Sequence, residues 1–180
     1  MTKQPLLSSA RLVLRPFSTE DAPVLRKLVQ EREIASTTLN IPHPYEDGMA
    51  EAWIATQEPA WLRGEIATFA VTEPSEGIVG AISLTIELPH QRAEAGYWIG
   101  LPFWGRGYAT EALSAIIAFG FSQLNLNRIH ASHMTRNPAS GRVMIKAGMH
   151  FEGCLRQHVM KWGQFEDLAI YAILRSEFVA

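Results

Sequence analysis

The chain is 180 residues long and 47% hydrophobic, with 16 Lys and Arg against 18 Asp and Glu and a net charge of -2. That length suits one domain over residues 1–180, and the near-neutral, interspersed charge excludes a bulk electrostatic affinity for nucleic acid or an anionic membrane. Cys154 is the only cysteine, which excludes an intrachain disulfide and a multi-cysteine metal site; with no apolar run of signal-peptide type after Met1, the expected setting is cytoplasmic.

Residues 11–17 read as a short first strand, Leu12, Leu14 and Pro16 alternating with Val13 and Arg15. Ser18-Thr19-Glu20-Asp21 has the form of a capping box ahead of Val24, Leu25, Leu28 and Val29, so the first helix is expected to reach about residue 33. Pro42 and Pro44 forbid a helix across residues 40–45, leaving His43 and Tyr45 on a loop that is either a packed connector or a functional edge. A second helix is expected near residues 46–58, carrying Trp53 and ending at Pro59. Residues 66–72 and 78–88 flank the turn signal Glu73-Pro74-Ser75-Glu76-Gly77 and so form a hairpin. In the next strand, residues 93–101, Gly96 and Gly100 suggest a bulge or the close approach of another backbone or a ligand.

Trp104-Gly105-Arg106-Gly107-Tyr108-Ala109-Thr110 then makes a glycine-rich turn, and Leu113, Ile116, Ile117, Phe121 and Leu124 follow at helical spacing. The turn therefore delivers backbone N–H groups to the positive end of a helix, an anion site. A Walker loop would need Gly-Lys-Ser/Thr, which is missing. A dinucleotide fingerprint would need a third glycine where Thr110 stands and a βαβ unit at the start of the chain. Residues 128–133 form a strand on which His130 and His133, an odd number apart, face opposite sides, so no metal is expected. Asn137 and Pro138 open a helix whose apolar side is Val143, Met144 and Ala147 and whose C-terminal cap is Gly148. Residues 151–160 and 165–174 close the chain as two strands around Lys161-Trp162-Gly163-Gln164. There is no Gly-x-Ser-x-Gly elbow for a serine hydrolase.

The glycine turn resembles the pyrophosphate loop of the GNAT N-acetyltransferase superfamily, Gln/Arg-x-x-Gly-x-Gly/Ala, with Gly107 and Ala109 in the last two fixed positions and Trp104 where Gln or Arg usually stands. Trp-Gly-x-Gly-Tyr-Ala-Thr-Glu-Ala is similar to the RimJ/RimL-like branch of ribosomal-protein acetyltransferases. The resemblance runs from Arg11-Leu12-Val13-Leu14-Arg15-Pro16 to Ile170-Tyr171-Ala172-Ile173-Leu174. It implies an α/β fold of GNAT type: a mixed, mostly antiparallel central sheet, splayed open at the acyl-CoA site and flanked by helices.

The resemblance also implies an N-acetyltransferase that uses acetyl-CoA as cosubstrate, without a metal. On that basis the coenzyme is met by Trp98, Ile99, Leu101, Trp104, Gly105, Arg106, Gly107, Tyr108, Ala109 and Thr110, and by Asn137 and Ser140 of the family's second motif. Arg106 either meets a phosphate or points into solvent. Backbone N–H groups of a bulged strand around Trp98 and Ile99 would polarise the thioester carbonyl. Glu94 is the candidate base, or else a solvated edge carboxylate. Met144 stands where many relatives carry a proton-donating tyrosine, which leaves Ser140 or water near the sulfur. His43, Tyr45, Trp53 and Tyr97 fall on the acceptor side. The acceptor is a primary amine, of a protein N-terminus or of a small molecule, and the family often forms homodimers. A noncatalytic acyl-CoA sensor is the alternative.

Overall fold

The computed structural model describes residues 3–179. Its strands are β1 (Leu7–Ser8), β2 (Val13–Arg15), β3 (Ile66–Glu73), β4 (Gly77–Glu87), β5 (Arg92–Ile99), β6 (Arg128–Met134), β7 (His150–Lys161) and β8 (Gln164–Leu174). Its helices are α1 (Ala22–Val29), α2 (Arg32–Thr37), α3 (Met49–Leu62), α4 (Tyr108–Ser122) and α5 (Pro138–Lys146). The strands form one sheet in the order β1-β2-β3-β4-β5-β6-β8-β7. Every neighbouring pair is antiparallel except β5 and β6, which run parallel. This is the open, mostly antiparallel sheet that the resemblance implies.

The opening comes from a pairing that stops early. β5 and β6 are in register only from Arg92 and Arg128 to Glu94 and His130. Beyond that point β5 stays with β4 as far as Ile99, and β6 stays with β8 as far as Met134. The Gly100 N–H donates to the Val79 carbonyl at 2.9 Å. By strand alternation the peptide groups of Trp98 also turn toward β4, whereas those of Tyr97 and Ile99 turn into the opening.

Side chains follow the same alternation. Tyr97 packs against the main core, in which Leu113, Ile116 and Ile117 of α4 meet Phe69, Leu84 and Ile129 of the sheet. Trp98 packs on the other face against a smaller cluster of Ala22, Leu25 and Val29 from α1 with Ala50 and Ile54 from α3. The bulge expected at Gly96 or Gly100 is not there, since β4 and β5 keep one register from Gly80–Ile99 to Glu87–Arg92. Gly100 instead answers to close approach, because a Cβ there would meet Leu28 Cδ2 at 2.8 Å.

Three boundaries differ from those expected. The first strand is only Val13–Arg15, and it is paired by β1, whose two residues are too short to leave a periodic signal. The first helix breaks at Glu31, which has ψ 126. The reason is that the next buried residue after Val29 is Ile34, a step of five that no single helical face supports. The second helix continues past Pro59 to Leu62. Pro59 cannot donate to the Ala55 carbonyl, a cost of about 3 kcal/mol in a helix interior. Burial of Trp61 against Phe119, with ring centroids 6.3 Å apart, offsets it.

The capping box holds, although it opens a single 3-10 turn (Thr19–Asp21) before α1. The Ser18 N–H donates to Asp21 Oδ2 at 2.7 Å, and Arg15 Nη1 and Nη2 donate to both carboxylate oxygens at 2.7 and 2.8 Å. Burial pushes the Asp21 carboxyl up, but the Arg15 guanidinium and the Ser18 N–H outweigh it and hold the group below its ordinary value. Asp21→Asn should destabilise the fold by about 1–3 kcal/mol, discounted for the partial exposure of Arg15. Because the folded value is depressed, the contribution is complete above the unfolded value of about 3.9 and is lost as the pH falls through the folded one. Urea midpoints of wild type and variant should differ at pH 7 and converge in acid.

Candidate active site

The site is built on two glycines that a side chain would strain. Gly105 and Gly107 have φ of +77 and +83, and α4 starts immediately after Gly107. The first amides of that helix have no partners within the helix and point out of its start. The turn is tied to the N-terminal segment through Glu111, whose carboxylate accepts from Ser9 Oγ and the Arg11 N–H at 2.7 Å and from Arg11 Nε at 2.8 Å. Burial raises the Glu111 carboxyl, but these donors prevail and keep it below its ordinary value. On the other side of the turn, Trp104 Nε1 donates to the Ile99 carbonyl at 2.5 Å, capping a peptide oxygen that would otherwise face the opening.

A cavity of about 1090 Å³ passes through the gap between β5 and β6. It is lined on one face by Trp104, Gly105, Gly107, Tyr108, Ala109, Thr110, Asn137 and Ser140, and by Tyr97 and Ile99 at the strand end. On the other face it is lined by Tyr45, Trp53, Glu94 and Trp98. The structure thus brings together most of the residues expected from sequence, and three stay outside. His43 is exposed, with its ring 6.1 Å from that of Trp162. Leu101 lies in a 3-10 turn beside the cavity and is not part of its wall. Arg106 is exposed and outside the cavity wall, its guanidinium pairing with Glu76 at 2.9 Å and lying over the Phe103 ring.

Residues 11–150 match the family model for the acetyltransferase (GNAT) domain. The chain is a GNAT acetyltransferase. The uncharacterized N-acetyltransferase YnaD of Bacillus subtilis is 39% identical to it over 179 residues, 96% of this chain and 98% of YnaD. The ribosomal-protein-serine acetyltransferase of Escherichia coli is 32% identical over 111 residues, 61% and 62% of the two chains. Mycobacterium smegmatis RimJ, solved in complex with CoA-disulfide, shares the fold with a TM-score of 0.88 at 20% identity, covering 97% of this chain and 90% of that one. RimJ/RimL-like acetyltransferases are thus among the relatives and fold neighbours of this GNAT enzyme.

Two contacts in the GNAT site join residues that lie far apart in the chain. Tyr97 Oη lies 2.7 Å from Ser140 Oγ and 3.1 Å from the Ser140 carbonyl. Burial pushes the phenol up to about 12, against the opposing hydrogen bond to Ser140, so Tyr97 stays protonated at any working pH. Met144, in the place of the family's tyrosine, is 1% exposed and belongs to the core. On the other face, Ser132 Oγ donates to Glu94 Oε1 at 3.3 Å. Glu94 stands in register with Thr85 on β4 and His130 on β6. Burial lowers the His130 imidazole, only partly opposed by Glu94, so a neutral ring adjoins the carboxylate at pH 7.

His133 falls on the opposite face from His130, where a Cβ added to Gly141 would meet its Nε2 at 2.7 Å. Sequence reasoning also passed over Arg142 and Lys146, exposed cations in the cavity wall. Their signal was available: they are four apart on α5, hence on one helical face.

Proposed function

We propose that this enzyme binds acetyl-CoA in the opening between β5 and β6 and transfers the acetyl group directly to a primary amine that enters from the α1–α3 face. The observation that carries this reading is the cavity itself, which crosses the sheet with the glycine turn and the start of α4 on one face and a carboxylate, Glu94, on the other. The residues present suit the coenzyme. The amides of residues 105–110 at the α4 start receive its pyrophosphate, helped by the Thr110 hydroxyl. Arg142 and Lys146 add positive charge on the same side, and Asn137, at the entrance of α5, serves the pantetheine arm. The free peptide edge of β5 needs hydrogen-bond partners, which an amide-bearing arm supplies.

The coenzyme contributes an acetyl group activated as a thioester; the chain contributes position and proton handling. The Ile99 N–H, turned into the gap, polarises the acetyl carbonyl as negative charge develops on its oxygen. The Trp98 amide points toward β4 and takes no part, so this role passes to Ile99 with Tyr97 beside it. Glu94 receives the proton of the incoming ammonium, directly or through one water. The Ser140 hydroxyl, held by Tyr97, offers a hydrogen bond to the departing sulfur. A thiol titrating near 8.5 makes that demand small, which is how Met144 is tolerated.

Titration calorimetry with acetyl-CoA, paired with a thiol-release assay over a panel of amines, tests the proposal. One-to-one binding, with thiol release only when acetyl-CoA and an amine are both present, is expected. Binding without release for every amine would refute transfer and leave an acyl-CoA sensor.

A further inference from the structure

The amine-entry half of the cavity has a chemistry of its own. Its wall includes Val29, Leu39, Ile41, Tyr45, Trp53 and Trp98, and among all the described residues that line the cavity Glu94 is the only acid. The threonine hydroxyls of α2 and the residue after it are already engaged. The Thr37 and Thr38 hydroxyls donate to carbonyls of Glu33 and Ile34. Lys161, 7% exposed, reaches behind the wall and donates to the carbonyls of Leu39 at 3.2 Å and Ile41 at 3.4 Å. Arg136 holds the Ser36 carbonyl at 2.6 Å and pairs with Glu166. Lys161 therefore places a cation behind the chamber, whereas the charge of Arg136 is met by Glu166. Of the acids on neighbouring elements, Asp47 is paired with Arg26, Glu46 is exposed, and Glu51, also exposed and outside the lining, adds to burial in raising the Tyr45 phenol.

Resting on the transfer reading above, we infer that the acceptor is a small primary monoamine with an apolar or aromatic body, selected by this chamber and oriented by Glu94. One ammonium finds its counter-charge at Glu94. A second, farther along a polyamine, would lie against apolar side chains with Lys161 behind them and no second carboxylate in the cavity wall to meet it. A peptide N-terminus would bring backbone N–H and C=O groups against the apolar side chains of Val29, Leu39 and Ile41, which offer them no hydrogen bonds in place of water. An aromatic or aliphatic body loses nothing there and gains from leaving water. Desolvation in the same chamber also favours the neutral, nucleophilic form of the amine.

The test compares kcat/KM, in the thiol-release assay, for 2-phenylethylamine, spermidine and an Ala-initiated tetrapeptide. 2-Phenylethylamine should exceed both of the others by about tenfold or more, the scale on which pocket contacts discriminate. Leu39 is 42% exposed, so Leu39→Asp should fold, and by placing a second carboxylate in the wall it should shift the phenylethylamine-to-spermidine ratio toward spermidine by about tenfold. Spermidine or the peptide turned over as well as 2-phenylethylamine by the wild type would overturn the inference while leaving acetyl transfer intact. Turnover of none of the three would overturn the inference, and the wider amine panel above then decides whether the transfer reading falls with it.

Discussion

Gly107→Val should abolish acetyl-CoA binding and leave the protein folded. The residue has φ +83 at the first turn of α4, a conformation that a β-branched side chain adopts only under strain of about 1–3 kcal/mol. The fold can absorb that strain. Leu113, Ile116 and Ile117 remain buried, and Glu111 remains fastened to Ser9 and Arg11. The added Cβ would meet Arg11 Nη2 at 3.4 Å, the movable end of a long side chain. The coenzyme site cannot absorb it, because relief of the strain rotates the peptide units whose N–H groups converge on the anion. Loss of one or two charge-assisted hydrogen bonds, at about 1.5–3 kcal/mol each, weakens binding by roughly 10²-fold or more. Gly77→Val is the control. It has φ +77 in the β3–β4 turn with open space around it, and should show a comparable loss of thermal stability with acetyl-CoA affinity within a few-fold of wild type, since its neighbour Glu76 touches the coenzyme turn only through the exposed Arg106 side chain, which lies outside the cavity wall. Wild-type affinity in folded Gly107→Val would remove the turn from the coenzyme site.

The parts of this site that could be read from the chain are the local ones. Two glycines before an apolar helical series specify a turn and a helix start without reference to the rest of the fold, and Asn137-Pro138 and Gly148 bracket α5 in the same way. The opening of the sheet is different in kind. It depends on where β5 stops pairing with β6, a relation between segments some 35 residues apart with no local signal, and only the family resemblance brought it into view. Side-chain partners across such distances stayed hidden for the same reason: Tyr97 finds Ser140 43 residues on, and Glu94 finds Ser132 38 residues on. The fate of Arg106 was decided by Glu76, 30 residues earlier. Where local rules misled, as at Pro59, buried area elsewhere outweighed them.

Glu94→Gln should lower kcat by about 10²- to 10³-fold while leaving acetyl-CoA affinity within about twofold of wild type, the effect expected for removal of a positioned base. The separation follows from the alternation of β5: Glu94 shares a face with Trp98, whereas the glycine turn, α4 and α5 belong to the face of Tyr97. Gln keeps the size of the side chain and can still accept from Ser132, so the local structure should persist. An acceptor ammonium titrating near 10 is almost wholly protonated at pH 7. The variant must wait for solvent to supply the neutral amine, so its rate should climb about tenfold per pH unit, and its deficit against wild type should shrink as the pH approaches the ammonium's own value. That pH trend separates a base from a mere counter-charge. If Glu94 only attracted the ammonium, the loss would appear in KM, kcat would hold, and the deficit would not narrow in this way. Unchanged kcat and KM would mean that the carboxylate is a solvated strand residue and that the proton leaves by another route.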